Sequence, residues 1–166
     1  MPRLLLFRHA KAERTAPGST DHERALTKSG RKDSAEMGAT IAERWPVRLV
    51  LCSTARRAKE TCDLASSAFG EPPEVRPLRA IYDADDYLPI LNAEGGDAET
   101  ILLVGHNPAM QETAVALVSD LTSADGALLA SRFPKAAIAV LDFDGSWAAL
   151  REGVARLAAF VLPERG

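Results

Sequence analysis

Three apolar runs in this chain each end in polar residues that could do chemistry. The runs are "LLLF", "LVLC" and "ILLV", and they are followed by Arg8 and His9, by Ser53 and Arg57, and by Gly105, His106 and Asn107, respectively. Guanidinium groups are permanently charged planar donors that match phosphate oxygens, and a neutral imidazole can attack phosphorus and carry the phosphoryl group. These residue types predict a phosphate site in which one histidine is the nucleophile and the other stabilises the transferring oxygens.

The apolar runs have the features of buried strands that alternate with helices. Each run is followed by a segment with apolar residues at near-helical spacing, such as "TARRAKETCDLASSAF" after the second run. This alternation predicts an α/β fold, a three-layer α/β/α sandwich around a mainly parallel central sheet. Because ligands gather beyond the carboxyl ends of parallel strands, the polar residues are expected to meet at that edge of the sheet.

Local signals predict several element boundaries. Thr27 is the expected N-cap of the first long helix, and Asn107 and Pro108 are interpreted as the N-cap and first helical position of a later one. The run "AAIAVLDF" is predicted to be a fourth strand that ends at the turn signal "DGS". The tail "WAALREGVARLAAFVLP" is compatible with either a strand or a helix.

Composition and charge limit the class of protein. The 166 residues, 46% hydrophobic and 26% charged, predict one domain spanning residues 1–166. A net charge of −3 gives no basic field for nucleic acid, and no apolar run approaches the ~18 residues of a membrane span. Cys52 and Cys62 lack zinc-site spacing and are expected to be reduced core residues of a cytoplasmic protein. No metal ion or other cofactor is expected, and a monomer is favoured.

Several of the polar residues also have a purely structural explanation. A lone histidine after a strand is more often a satisfied structural residue, so His9 and His106 indicate catalysis only as a pair. Ser53 and Asn107 are each either a helix cap or a phosphate ligand, with capping the leading interpretation for Asn107.

Residues in the segment "DHER" and in the helix that carries Arg57 can likewise be either site residues or ordinary surface residues. Arg56 is expected to lie on a solvated helix face, paired with Glu60, which leaves Arg57 as the arginine of the site. Asp21 is a candidate substrate-binding residue, and its neighbour His22 is expected to be solvated.

Three motifs in order resemble those of the histidine phosphatase superfamily, which includes cofactor-dependent phosphoglycerate mutase and acid phosphatases. They are Arg8-His9, then "STARRAKET" with Ser53, Arg57, Ala58 and Thr61 at the motif positions, then "VGHNP" with His106 as the second catalytic histidine. The stretches "RHAKAE", "DHERALTKSGRKDS" and "LVGHNPAM" are most similar to the SixA branch, the phosphohistidine phosphatases. The resemblance covers nearly the whole chain and implies a phosphoglycerate mutase-like fold.

One departure from the larger members of that family concerns the general acid. They take it, usually a glutamate, from the segment between the second and third motifs, and Arg79 and Ala80 stand where it is expected here. An alkoxide leaving group needs such an acid, worth about 10²–10⁴ in rate, whereas imidazole leaves readily once it is protonated. The chain therefore suits phosphohistidine better than sugar phosphates. Asp83, Asp85 and Asp86 are the substitutes to consider if an acid is needed.

The hypothesis from the sequence is a metal-independent phosphatase that acts on phosphohistidine in a protein. In it His9 attacks phosphorus, Arg8 and Arg57 bind the oxygens, and His106 stabilises the transition state. A small phosphorylated substrate, hydrolysed by the same chemistry, is one alternative. A phosphate- or phosphoprotein-binding module with negligible turnover is another, although a binder has no need for both histidines.

Overall fold

A mixed β-sheet forms the centre of the molecule. In the computed structural model, which describes residues 1–164, its strands are β1 (Arg3–Arg8), β2 (Leu49–Ser53), β3 (Glu74–Leu78), β4 (Thr100–Gly105), β5 (Ile138–Asp142) and β6 (Arg156–Val161). Their order across the sheet is β3-β2-β4-β1-β5-β6. Strands β3, β2, β4 and β1 are parallel to one another, and β5 is antiparallel to its neighbours β1 and β6. The prediction of a mainly parallel sheet is therefore confirmed.

Helices cover both faces of this sheet. Within residues 1–164 they are α1 (Lys28–Arg44), α2 (Arg56–Ser66), α3 (Arg79–Asp83), α4 (Leu88–Glu94), α5 (Ala109–Leu117) and α6 (Ala124–Ser131). A 3-10 turn, Asp21–Glu23, precedes α1. None of the helices in this part of the chain is long and apolar enough to cross a membrane.

Side chains that alternate along the central strands supply a core on each face. In β1, Leu4 and Leu6 pack in the core that contains α3 to α6, whereas Leu5 and Phe7 pack in the core that contains α1 and α2. All four side chains are fully buried. Because both faces are covered, β1 is apolar throughout rather than alternating, which is why its sequence indicated a buried strand. The three-layer sandwich is thus confirmed.

The two helix starts predicted from capping signals agree with the structure to within one residue. Thr27 is the N-cap of α1, and its Oγ1 accepts a hydrogen bond from the Gly30 N–H at 3.0 Å. Pro108 is the N-cap of α5 rather than its first helical residue, so the predicted start was one residue early. The Asn107 Oδ1 still accepts from the Gln111 N–H at 3.1 Å, which satisfies a donor in the first turn.

The C-terminal part of the chain forms the antiparallel edge of the sheet. The run "AAIAVLDF" contains β5, as predicted, and the ambiguous tail contributes β6, which pairs with β5. Cys52 and Cys62 are both buried and are not joined in a disulfide, in agreement with the expectation that they are core residues.

The three strands that carry the predicted site are neighbours. Strand β4 lies between β2 and β1, and its register places Gly105 opposite Arg8 and Val104 opposite Cys52. The carboxyl ends of the three strands therefore meet at one edge. The residues that follow them, His9 and His106 among them, start from adjacent points of the backbone.

Candidate active site

His9 is buried at the end of β1 and has a defined tautomer. Its main-chain N–H donates to the Gly105 carbonyl at 3.0 Å, and its Nδ1 lies 2.7 Å from the Ala10 carbonyl oxygen. A carbonyl oxygen only accepts, so Nδ1 carries the proton and Nε2 has a free lone pair. Burial, together with the nearby His106, Arg57 and Arg8, lowers the pKa of His9 to about 3. His9 is therefore neutral at pH 7, as a nucleophilic imidazole must be.

His106 begins the segment after β4, and Tyr87 holds its main chain. The Tyr87 hydroxyl accepts from the His106 N–H at 2.9 Å and donates to the His106 carbonyl oxygen at 3.1 Å. A Cβ on Gly105 would lie 2.6 Å from the Tyr87 hydroxyl oxygen, so a side chain there would push this clamp apart. Burial raises the pKa of Tyr87 to about 12, which keeps the hydroxyl protonated and able to donate.

Ser53 sets the orientation of the His106 ring. The Ser53 Oγ lies 2.7 Å from the His106 Nε2 and accepts from the Ala55 N–H at 3.2 Å. The Ser53 hydroxyl has its own hydrogen to donate, and when it donates to Nε2 the proton of the imidazole lies on Nδ1. The centroids of the His9 and His106 rings are 5.1 Å apart. Ser53 is therefore a contact of the site, whereas the helix-cap interpretation is wrong, because the N-cap of α2 is Ala55 and no side chain caps this helix.

Arg57 is buried in the first turn of α2, and Asp21 holds its guanidinium. Its Nη1 donates to the Asp21 carbonyl oxygen at 2.8 Å and its Nη2 to the Asp21 carboxylate at 3.0 Å. Thr61 ties this turn to the segment that follows β1, since its Oγ1 donates to the Arg57 carbonyl at 2.8 Å and accepts from the Ala10 N–H at 3.1 Å. Arg56 is exposed and pairs with Glu60 at 3.3 Å, as the sequence predicted.

Arg8 approaches the site from the last residue of β1. Its Nη1 donates to the Phe133 carbonyl at 2.7 Å, an oxygen that also accepts from the Asn107 Nδ2 at 3.3 Å. Arg8 and Arg57 both lower the pKa of His106, which burial brings to about 4, and both act on His9 as well. The charges of both arginines therefore act on both imidazole rings.

Three buried nitrogen atoms of the site have no hydrogen-bond partner among residues 1–164. They are the Arg8 Nε, the Arg57 Nε and the His106 Nδ1. Buried donors are normally satisfied, and an anion with several oxygens could accept from all of these groups. Residues 1–164 contain no cluster of three or more His, Cys, Asp or Glu side chains that could hold a metal ion.

Tyr82 is a part of this site that sequence reasoning missed. Its hydroxyl donates to the Asp21 carboxylate at 2.7 Å, and its ring meets the His106 ring edge-on with centroids 5.6 Å apart. The His22 ring also meets the Tyr82 ring edge-on, with centroids 4.8 Å apart, and the His22 Nε2 lies 2.9 Å from the Thr54 Oγ1. The expectation that His22 is merely solvated is therefore wrong, because this half-buried ring is part of the wall of the site.

The three aspartates considered as substitute acids are exposed. Asp83 pairs with Arg79 at 3.4 Å, one helical turn away. The Asp86 Oδ1 accepts from the Leu88 N–H at 2.9 Å and so caps α4. These contacts explain Asp83 and Asp86 as surface and capping residues, and Asp85 is exposed beside them.

The lowered pKa values of His9 and His106 predict a dependence of stability on pH. Both imidazoles ionise at about 6.5 when unfolded, against about 3 and about 4 in the folded chain, so the unfolded state binds more protons below pH 6.5. The free energy of unfolding should therefore fall as the pH falls from 6.5 towards 4, by up to about 1.4 kcal/mol per pH unit for each histidine. Denaturant titrations between pH 7 and pH 4.5 measure this slope.

The matched variant for this measurement is His9→Asn, whose amide nitrogen can still donate to the Ala10 carbonyl. This variant should reduce the dependence of the free energy of unfolding on pH by the contribution of one histidine. An unchanged slope would contradict the neutral, buried state of His9.

Comparisons with known proteins agree with this geometry. Residues 4–79 match the family model described as the histidine phosphatase superfamily, branch 1. An uncharacterized protein of Mycobacterium tuberculosis is 35% identical over 163 residues, which cover 95% of this chain and 99% of that protein. The solved structure of a candidate phosphohistidine phosphatase SixA from Nakamurella multipartitia superposes with a TM-score of 0.86 at 31% identity, covering 98% of this chain and 96% of that one. Its counterpart from Agrobacterium tumefaciens gives 0.82 at 33% identity, with 97% of each chain covered.

The sandwich fold, the neighbouring histidines that follow β1 and β4, and the matches to known proteins identify a histidine-type phosphatase. The chain belongs to the histidine phosphatase superfamily, and within it to the SixA-type members. The fold and family implied by the sequence motifs are therefore confirmed.

Proposed function

We propose that the protein removes the phosphoryl group from phosphohistidine in a protein substrate, through a phosphorylated His9 intermediate. The observation that carries the proposal is the state of Asp21, the carboxylate that Arg57 and Tyr82 hold at the site. Asp21 accepts from Tyr82 at 2.7 Å and from Arg24 and Arg57 at 3.0 Å each, and these bonds, that of Tyr82 first, hold its pKa well below the usual range. A carboxylate held in this way stays ionised and does not donate a proton.

The leaving group decides which substrate such a site can use. An alkyl phosphate expels an alkoxide, which requires a positioned acid, and the contacts of Asp21 remove it from that role. A phosphoramidate expels imidazole, whose second nitrogen can be protonated before the bond breaks. The site therefore suits phosphohistidine.

The proposed reaction has two steps at phosphorus. The His9 Nε2 lone pair attacks, the bond between phosphorus and the substrate nitrogen breaks, and its electron pair leaves with the substrate imidazole. Arg8 and Arg57 bind the equatorial oxygens through donors that include their unpartnered Nε groups, and the His106 Nδ1–H donates to the same group. Water then attacks phosphorus, the bond to the His9 Nε2 breaks, and inorganic phosphate is released.

The remaining predicted site residues have supporting roles in this proposal. Asp21 positions Arg57 rather than binding substrate, because its carboxylate and carbonyl occupy the Nη1 and Nη2 groups. Ser53 orients the ring of His106. Asn107 caps the first turn of α5 and shares the Phe133 carbonyl with Arg8.

The related proteins support the same substrate class. Two structural relatives above 30% identity are described as candidate phosphohistidine phosphatases of the SixA type, and each is covered almost entirely by this chain. The described contacts place no poised acid in the site, and the substrate class in the names of those relatives is consistent with this chemistry.

The test compares substrates that differ in the leaving group. We expect kcat/KM for a phosphohistidine protein or peptide to exceed that for sugar phosphates by at least about 10²-fold, a difference of roughly 2.7 kcal/mol in activation free energy. Assays at equal ionic strength with a phosphohistidine domain, free phosphohistidine and several sugar phosphates measure the ratio. Equal or better turnover of an alkyl phosphate would favour the small-molecule alternative, and phosphate binding without turnover of any substrate would favour a binding module.

A further inference from the structure

A groove with basic side chains adjoins the proposed phosphate site. It has a volume of about 530 Å³, and its lining includes Arg8, Lys11, Asp33, Pro134 and Lys135. We refer to it as the basic groove. Arg8 lines the groove, and its charge also lowers the pKa values of His9 and His106, so the groove and the site share this arginine.

Main-chain contacts hold the two lysines beside the end of β1. The Ala136 N–H donates to the Arg8 carbonyl at 3.1 Å, which places Lys135 against this strand. Ala136 has a φ of 65°, a conformation that is uncommon for residues with a Cβ and that marks a tightly determined turn. On the other side, the Lys11 carbonyl accepts from the N–H of Thr27, the N-cap of α1, at 2.9 Å. The cations are thus set in place by the fold, although their side chains reach the surface.

The charge in the groove is mainly positive. Burial first, and then the cations Arg8, Arg24 and Lys11, lower the pKa of Lys135, which shows that these like charges act on one another. Asp33 is the acidic residue in the lining, against three cations. The overall charge of the chain is −3, so this local excess opposes the charge of the protein as a whole.

The start of helix α1 adds to the same field. Ser29, in the first turn of this 17-residue helix, also lines the groove, and the first turn holds no acidic residue. Main-chain N–H groups at a helix start carry partial positive charge that favours anions. The basic side chains of the groove and the start of α1 therefore both favour an anionic ligand.

We infer that the basic groove is a second anion subsite, which takes the carboxylate of an acidic side chain that flanks the phosphohistidine in a protein substrate. The inference rests on the proposed function and adds a substrate preference to it. In this inference, a protein segment whose phosphohistidine reaches His9 extends over the surface beside Arg8, where Lys11 and Lys135 are exposed. A carboxylate on that segment offsets their mutual repulsion.

The experiment uses two phosphohistidine peptides that differ only in the residues next to the phosphohistidine, glutamates in one and glutamines in the other. Wild type should prefer the glutamate peptide, mainly through a lower KM, and the preference should shrink at high salt. The double variant Lys11→Gln, Lys135→Gln should lose about five- to tenfold in kcat/KM on the glutamate peptide. It should keep wild-type activity within about twofold on the glutamine peptide and on an aryl phosphate.

The control variant is Arg48→Gln. Arg48 directly precedes β2 and pairs with Glu71, so it lies at the amino end of the parallel strands, opposite the groove. It removes one surface cation and should leave the peptide preference unchanged. An equal loss in both variants would mean that net charge, not the groove, sets the preference, and would overturn the inference.

Other outcomes separate the inference from the proposed function. If wild type hydrolyses both peptides equally, the subsite fails while the phosphohistidine activity stands. If wild type hydrolyses aryl phosphates but neither peptide, the proposed substrate fails. A third outcome concerns an aryl phosphate that bears a carboxylate. If wild type prefers this compound but shows no preference between the two peptides, and the double variant loses the preference, the groove binds small dianionic substrates. That result would overturn the protein segment as the occupant of the groove.

Discussion

Replacing His9 with alanine is expected to lower phosphatase activity by at least about 10⁴-fold, the scale on which loss of an enzymatic nucleophile is measured. The reason is that the buried, neutral imidazole presents its Nε2 lone pair while the Ala10 carbonyl holds the proton on Nδ1. In wild type, rapid acid-free quenching with a labelled substrate should trap phosphate that is acid-labile and base-stable, as a phosphoramidate is. The His9→Ala variant should trap none.

The chain contains three histidines, all near the site, so the location of the label must be mapped. His106→Ala and His22→Ala serve as matched controls, because each removes an imidazole whose Nε2 is engaged by a hydroxyl, Ser53 and Thr54 respectively. Both variants should still carry the label on His9, with slower turnover for His106→Ala. Label on His106, or on a serine or aspartate, would contradict the proposed mechanism.

The sheet could be predicted from the sequence because its central strands are buried on both faces. Continuous apolar runs such as Leu4 to Phe7 are typical of that environment, and the helices between them are amphipathic. Strand β6 could not be assigned in the same way, since Arg156–Val161 is an edge strand with exposed and buried residues in no simple alternation. Its conformation depends on the pairing with β5, which local sequence does not report.

The sequence could predict the site residues that directly follow a strand. It could not predict those that reach the site from distant segments through side-chain contacts. His9 and His106 take their places from β1 and β4. Tyr82 and Tyr87 act through hydroxyls that reach residues 61 and 19 positions away, Asp21 and His106 respectively. The only signal for Tyr82 was its place in the segment where an acid was sought. An aromatic residue next to an aspartate gives no indication of such contacts.

Replacing Arg57 with alanine is expected to lower kcat/KM by about 10²-fold or more, on the scale of a lost oxyanion donor. The Arg57 side chain is buried, its Nη groups are held by Asp21, and its Nε is unpartnered, so it is fixed before substrate arrives. A contact made most strongly in the transition state should lower kcat as well as kcat/KM. Steady-state assays with an aryl phosphate measure both.

The neighbouring arginine supplies the matched control for this prediction. Arg56 is exposed and its ion pair with Glu60 contributes at most about 0.5 kcal/mol of stability, so Arg56→Ala should change kcat/KM by less than about twofold. Asp21→Asn separates binding from positioning, because an asparagine keeps one acceptor for the guanidinium but loses the charge that orients it. If Asp21 positions Arg57, this variant should lower activity in the same direction as Arg57→Ala, and combining the two should cost little more than Arg57→Ala alone. Independent, additive losses would mean that Asp21 contacts the substrate itself.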